Sequence, residues 1–386
     1  MMGKSAAFDM ARSEAVTHVT VADQDGKLAK KVAEFVTANA SKGVKVVAAK
    51  LDAANQGAAE KLMSKHDGTL SCVPYFFNLG LAKAAVKASC HFADLGGNNT
   101  VVRQTLALAK KAEKRGIALS PDCGLSPGMA SILAGDLFRR ITAEAKKPYV
   151  DALRLYVGGL PAKPKAPWRY QLVFSVEGLI NEYSEPARVL KGGKLQVIEP
   201  LTEPEDFDIN GFERLVAFHT SGGTSTMPET FEGKVGECFE KTLRYPEHFP
   251  FIRGLYDMGL FSSEPRKING HKITPRQVTS DLILEKFAGD DADVVIMRIE
   301  AQVGGRKIAY ECVDRQDKKT QLTAMMRTTA WPASQVLQML CKGTIAKRGA
   351  IYQETDVPAD TFVSEMRKRG IELELLGAGK SASARA

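Results

Sequence analysis

The sequence predicts an α/β protein with an N-terminal doubly wound parallel sheet that lacks its first strand, followed by a second, mixed α/β domain whose C-terminal helices return to the first. Three observations carry this. Up to residue 122, short runs rich in Val and Ile alternate with segments whose apolar residues recur every three or four positions, the rhythm of a parallel sheet covered by helices on both faces. From residue 150 the apolar runs lengthen and are separated by turn residues. Helical periodicity returns near the C-terminus.

The strands of the first region are expected at 17–23 (THVTVAD), 44–52 (VKVVAAKLD), 69–76 (TLSCVPYF), 91–96 (HFADLG) and 116–122 (GIALSPD). Helices are expected between them at 28–40, 57–66, 81–89 and 101–116, the last ending at Gly116. Residues 129–140 read as one more helix and 152–161 as a strand. The stretch 291–329 reads as three β-rich runs separated by Gly-Gly and Arg-Gln-Asp turns, an antiparallel meander. Helices at 331–343 and 358–370 close the chain. The domains are accordingly placed at 1–125, 126–328 and 329–386, the last packing back on the first and ending in a disordered tail from about 377.

At 386 residues, 44% hydrophobic and 25% charged, the chain has the composition of a globular protein with two cores. Its six cysteines form no C-x-x-C pair and show no zinc-like spacing with the six histidines, which excludes a disulfide framework and gives no metal site. The formal charge of +8 is scattered among acids, so no nucleic-acid partner is expected. No basic-then-apolar leader occurs, and no run approaches the ~18 apolar residues that span a bilayer. These features predict a soluble, cytoplasmic protein with a small-molecule partner and no membrane contact.

A dinucleotide-binding, or Rossmann-type, unit needs a strand, a G-x-G-x-x-G turn, a helix, a second strand, and an acid about twenty residues beyond the turn. Gly3 suits the third glycine, Lys4 to Ser13 the helix, and Asp23 the acid that bonds both ribose hydroxyls. A 2′-phosphate beside Asp23 would be repelled and no Arg follows it directly, so NAD is expected over NADP. Asp52, at the end of the next strand, belongs to the same expected cofactor edge. The first strand and first two glycines are absent, and roughly ten further residues carrying them are expected upstream of Met1.

The segments CVPYFFN (72–78), ADLGGNN (93–99), PDCGLSPGMASILA (121–134), FSVEGLINEY (174–183), AFHTSGGTST (217–226) and KTLRYPEH (241–248) resemble the saccharopine dehydrogenase-like family over nearly the whole chain. FSVEGL and FHTSGGTST look most like its bacterial L-lysine 6-dehydrogenase branch. The resemblance implies a homodimer and NAD(P)-linked oxidation at a carbon bearing nitrogen. Oxidative deamination of lysine at its 6-carbon is the first expectation, and a saccharopine- or carboxynorspermidine-type reductase joining an amine to an aldehyde is the alternative. A dinucleotide-binding protein without catalysis is a third. In the saccharopine-type reductases, positions matching Tyr75, Asp94, Cys123, Gly124 and Thr242 line the substrate pocket. Pro74 and Tyr75 are expected beside the nicotinamide.

Hydride leaves a carbon bound to nitrogen only after the ammonium, with an ordinary pKa of about 10.4, has lost a proton. His219 is the first candidate for the base, because imidazole titrates near neutrality, and Asp94, at the carboxyl end of a strand, is the second. An α-carboxylate calls for a planar fork, for which Arg244 is the leading choice and Arg327 and Arg169 are competitors, with Thr242 and Thr220 adding hydroxyls. Glu177 is a candidate for a substrate ammonium, although it also fits the first turn of a helix.

Overall fold

The computed structural model describes residues 1–289 and 291–377, so the expected disordered tail lies almost wholly outside the described residues. The chain divides into two compact units, one formed by 1–132 with 326–371 and the other by 133–325 with 372–377.

The first unit opens with α1 (Met2–Ala11), β1 (His18–Asp23), α2 (Gly26–Thr37), β2 (Lys45–Lys50), α3 (Gln56–Met63), β3 (Gly68–Ser71), α4 (Asn78–Ala88) and β4 (His91–Asp94). It continues through α5 (Asn99–Leu106), α6 (Ala109–Lys114) and β5 (Ala118–Ser120). Each strand falls within two residues of an expected start, but the single helix expected over 101–116 is two. Leu108 bonds back three residues to Thr105 rather than four, and that tight turn bends the chain between α5 and α6.

All strand pairings in this unit are parallel, yet they form two separate sheets. β1 pairs only with β2, while β3, β4 and β5 pair in order. The break lies between β1 and β3. Across it, the Thr20 hydroxyl meets His66 Nε2 at 2.8 Å.

The second unit contains most of α7 (Ala130–Ala145), then β6 (Val150–Pro161), α8 (Val176–Ser184), β7 (Ala187–Lys191), β8 (Lys194–Ile198), β9 (Glu205–Phe207), β10 (Leu215–His219), α9 (Met227–Phe231) and β11 (Val235–Arg244). After α10 (His248–Asp257) come β12 (Arg266–Ile268), β13 (His271–Ile273), α11 (Pro275–Phe287), β14 (Asp293–Val303) and β15 (Arg306–Arg315). Its main sheet is mixed: β6 and β11 run parallel, β14 lies antiparallel to β6, and β10 antiparallel to β11. On one face Phe218 joins Leu179, Ile180, Ile252 and Ile283 in a core under α8, α10 and α11. On the other, Tyr156, Phe207, Leu243 and Ile296 form a second core bordered by charge pairs such as Arg154 with Glu237.

The third β-rich run expected near residue 320 is instead the start of α12 (Ala324–Cys341). The Asp293 carboxylate accepts the Ala324 and Met325 amides at 2.6 and 2.9 Å, satisfying donors that open a helix. The chain then passes through β16 (Gly349–Ala350), α13 (Gln353–Asp356), α14 (Ala359–Lys368) and β17 (Glu374–Leu376), with β16 extending the parallel sheet beside β5. The C-terminal helices do return to the first unit. Phe8 stacks on Trp331, and buried Asp9 receives Ser334 at 2.7 Å and the Arg369 guanidinium at 2.7 Å.

Candidate active site

In the first unit the expected cofactor and substrate residues gather at the carboxyl ends of the parallel strands. Asp94 ends β4 and is 1% exposed; its Oδ1 accepts the amides of Gly96 at 2.7 Å and Asp122 at 3.0 Å. Its backbone carbonyl takes the Cys123 amide at 2.8 Å. One carboxylate thus fixes the loops after β4 and β5. Burial pushes its pKa up to about 6, against the pull of those two amides.

Gly96, at φ +77°, packs so closely that a Cβ there would stand 1.8 Å from Asp122 Oδ1. Tyr75 opens a short turn after β3, and its Cβ lies 3.2 Å from where a Cβ on Gly97 would be, so Pro74 and Tyr75 border the Asp94 loop. Gly124 is packed against the Leu95 and Pro127 carbonyls. Cys123 is buried against Ser120 and Gln353, and burial pushes its thiol up to about 12, which suits a packing residue and not a nucleophile.

The expected cofactor edge fits a dinucleotide in its donor set. No side chain caps α1 and no acid sits in its first turn, which leaves its leading amides for an anion, and Gly3 packs 3.6 Å from the Cys72 side chain. Asp23 ends β1 and accepts the Asp25 amide at 2.9 Å, while Asp25 caps α2. Asp52 is exposed and closes a turn with Ala54 at 2.9 Å.

In the second unit the expected substrate residues divide. Side chains alternate along a strand, and the pairing of Phe218 with Thr242 and of His219 with Lys241 fixes which face each takes. Thr220, Thr242 and Arg244 share the helix-covered face. His219 lies on the opposite face, buried, with Nε2 3.2 Å from a Glu203 carboxylate oxygen and Nδ1 3.4 Å from the Glu240 carbonyl. Burial and Lys241 lower its pKa, and Glu203 partly restores it. That face opens into a cavity of about 500 Å³ bordered by Tyr156, Glu203, Glu237 and Lys241. His219 is therefore not brought together with Arg244. Glu177 sits exposed in the first turn of α8, as its helix-capping reading expects.

Arg244 is 2% exposed and rigidly held. Its Nε donates to the Tyr183 hydroxyl at 3.0 Å and Nη1 to the Leu243 carbonyl at 2.9 Å. The Tyr183 hydroxyl, which accepts from Arg244, is also hydrogen-bonded to His248 Nε2 at 3.0 Å. Burial together with Arg244 holds the His248 pKa well down, which keeps it neutral. Around Arg244 lie groups not among the expected residues: Glu182, Glu240, Tyr170 and Tyr183. The alternation E-K-T-L-R could have revealed Glu240, which precedes Thr242 and Arg244 on one strand face. Glu182 and Tyr183 reach the site only through the packing of α8, for which no local pattern exists.

With this geometry in place, comparison with known proteins decides the family. Residues 124–371 match the saccharopine dehydrogenase C-terminal domain, and residues 1–119 match the saccharopine dehydrogenase NADP binding domain. The chain belongs to the saccharopine dehydrogenase family. It is 24% identical over 250 residues to a saccharopine dehydrogenase [NADP(+), L-glutamate-forming] of Pyricularia oryzae, covering 64% of this chain and 54% of that one. A Schizosaccharomyces pombe protein of the same name is 26% identical over 284 residues, covering 71% and 60%. The chain thus spans little more than half the length of these relatives. The solved apo saccharopine dehydrogenase (L-Glu forming) of Saccharomyces cerevisiae shares the fold, with a TM-score of 0.77 at 19% identity over 98% of both chains.

These matches correct the expected preference for NAD. The family's N-terminal domain is described as NADP-binding and the relatives are named for NADP(+), so NADP is at least as well supported as NAD. Lys50 on β2 is the register partner of Asp23, and the Cβ, Cγ and Cδ atoms of its side chain lie beside Gly26. Among the described residues there is no cluster that could hold a metal ion and no helix long and apolar enough to cross a membrane.

Proposed function

We propose that this protein is an NAD(P)-linked oxidoreductase of the saccharopine type, interconverting a secondary amine with the imine from which an amino acid and an aldehyde separate. The observation that carries the reading is the family match over 124–371, which contains Arg244 and the polar residues around it. The names of the relatives support an amino-acid-derived amine as substrate and NADP as hydride acceptor. The Rossmann-type unit would hold the dinucleotide at α1 and the end of β1, and the dinucleotide would supply the hydride acceptor.

Within this reading Arg244 is the substrate-carboxylate fork. Fixed by Tyr183 and the Leu243 carbonyl, it offers its terminal amino groups without reorganising, which favours a planar, two-pronged anion. Oxidation of lysine at its 6-carbon is the competing reaction. Purified protein given either L-saccharopine or L-lysine, with NADP⁺ or NAD⁺, separates them. Nucleotide reduction with saccharopine is expected, and reduction with lysine alone would replace the proposal by the deamination reading. A homodimer belongs to the same reading, and sedimentation equilibrium on the purified chain tests it.

A further inference from the structure

The face of β11 that carries Arg244 also holds more acid than one guanidinium needs. Glu240 is 5% exposed and its two oxygens receive the Thr220 hydroxyl at 3.1 Å and the Thr242 hydroxyl at 3.4 Å. Gly223 leaves it room, since a Cβ there would stand 2.4 Å from Glu240 Cγ. Glu182 approaches from α8, its Oε2 3.7 Å from Arg244 Nη2, and its side chain is 31% exposed. A carboxylate placed only to neutralise Arg244 would sit at bonding distance, 2.7–2.9 Å.

A second observation concerns Tyr170. Its hydroxyl is buried beside the same guanidinium, with Arg244 in hydrogen-bonding reach, yet no partner meets it in full hydrogen-bond geometry.

We propose that Glu240 and Glu182 form the ammonium-binding, proton-accepting half of an amino-acid head-group site whose carboxylate half is Arg244. This rests on the function proposed above. An ammonium between the two acids and a carboxylate on Arg244 would place opposite charges against each partner. When the amine is oxidised, an ammonium N–H bond breaks and a carboxylate O–H bond forms. The nitrogen keeps the electron pair, and hydride then leaves the neighbouring carbon for the nicotinamide dinucleotide of the proposed reaction.

The titration of the pair suits that step. Burial pushes Glu182 up to about 7 and Glu240 up to about 8, with the charge of Glu182 adding to the latter and Arg244 opposing both. The other groups facing the pair are Tyr183 on α8, Tyr170 in the segment before it, and neutral His248 on α10. Arg276 of α11 is bonded to Asn181 on α8 at 2.6 Å. The acids therefore keep a shared proton near pH 7, which an arriving cation displaces to solvent.

Calorimetry at pH 7 in two buffers of different ionisation enthalpy, with L-saccharopine, L-glutamate and glutarate as probes, tests this. The amino acids are expected to release roughly half to one proton per site on binding, and glutarate, which lacks the amine, none. Glu240→Gln should abolish that release and weaken amino-acid binding about tenfold or more while leaving glutarate unchanged, with circular dichroism reporting the fold; Glu182→Gln is the second variant, expected to act in the same direction. Amino-acid binding without proton release, or equal release in both variants, overturns the inference. Turnover that keeps its pH profile in both variants refutes the inference and leaves the proposed reaction standing. Proton-linked binding without turnover does the reverse.

Discussion

Arg244 owes its fixed position to a chain of three residues, and each link sets the next. Its Nε bonds the Tyr183 hydroxyl, which bonds a neutral His248, so the guanidinium is aimed before any ligand arrives. Arg244→Lys keeps the charge but loses the fork and the Tyr183 bond. Steady-state kinetics on the amino-acid substrate should show KM raised about tenfold or more, with a smaller change in kcat. Asp94 makes a different prediction, because its pKa lies above the ordinary 3.8, at about 6. The folded state binds the extra proton, so Asp94 costs nothing below pH 3.8, and stability falls as pH rises from there through about 6. Asp94→Asn keeps an oxygen for the Gly96 and Asp122 amides. It should therefore raise the unfolding midpoint at pH 8, by at most about 3 kcal/mol in stability, and leave it unchanged near pH 3.5. At this scale the sequence was partly legible. Arg244 and Thr242 were visible as a guanidinium with a neighbouring hydroxyl, whereas placing His219 on the other strand face needed the β10–β11 register, which no local spacing encodes.

Elements were legible wherever local periodicity and burial agree. β1, β2, β4 and β6 lie where runs of Val, Leu and Ala place them, since a strand buried under helices reads as a continuous apolar run. The start of α12 was not legible, because its helical state depends on a carboxylate thirty-one residues away, Asp293, closing its first turn. Nor was the role of Asp9 in α1 visible. Its side chain is buried among Ser334, Gln338 and Arg369, and it ties the first helix to α12 and α14. Asp9→Ala would leave the half-buried Arg369 with Glu365 as its remaining acidic partner among the described residues. Urea unfolding should show the first unit destabilised by about 3 kcal/mol or more, the cost of breaking a buried ion pair from one side.

At the scale of the whole molecule, the division of the parallel strands into two sheets and the family match bear on the same question, how the first unit binds a dinucleotide. The NADP-binding description of the family opposes the simple rule that an acid at this position selects NAD. In the proposed reading the second unit supplies the amino-acid chemistry, with Arg244 held by Tyr183 and flanked by Glu182 and Glu240. The most direct test of the central claim is the identity of the products after incubation with L-saccharopine and NADP⁺, read by mass spectrometry alongside nucleotide reduction. The account predicts L-glutamate and an aldehyde in equal amounts with each equivalent of reduced nucleotide. Reduced nucleotide without L-glutamate, or unchanged saccharopine with either nucleotide, would contradict it.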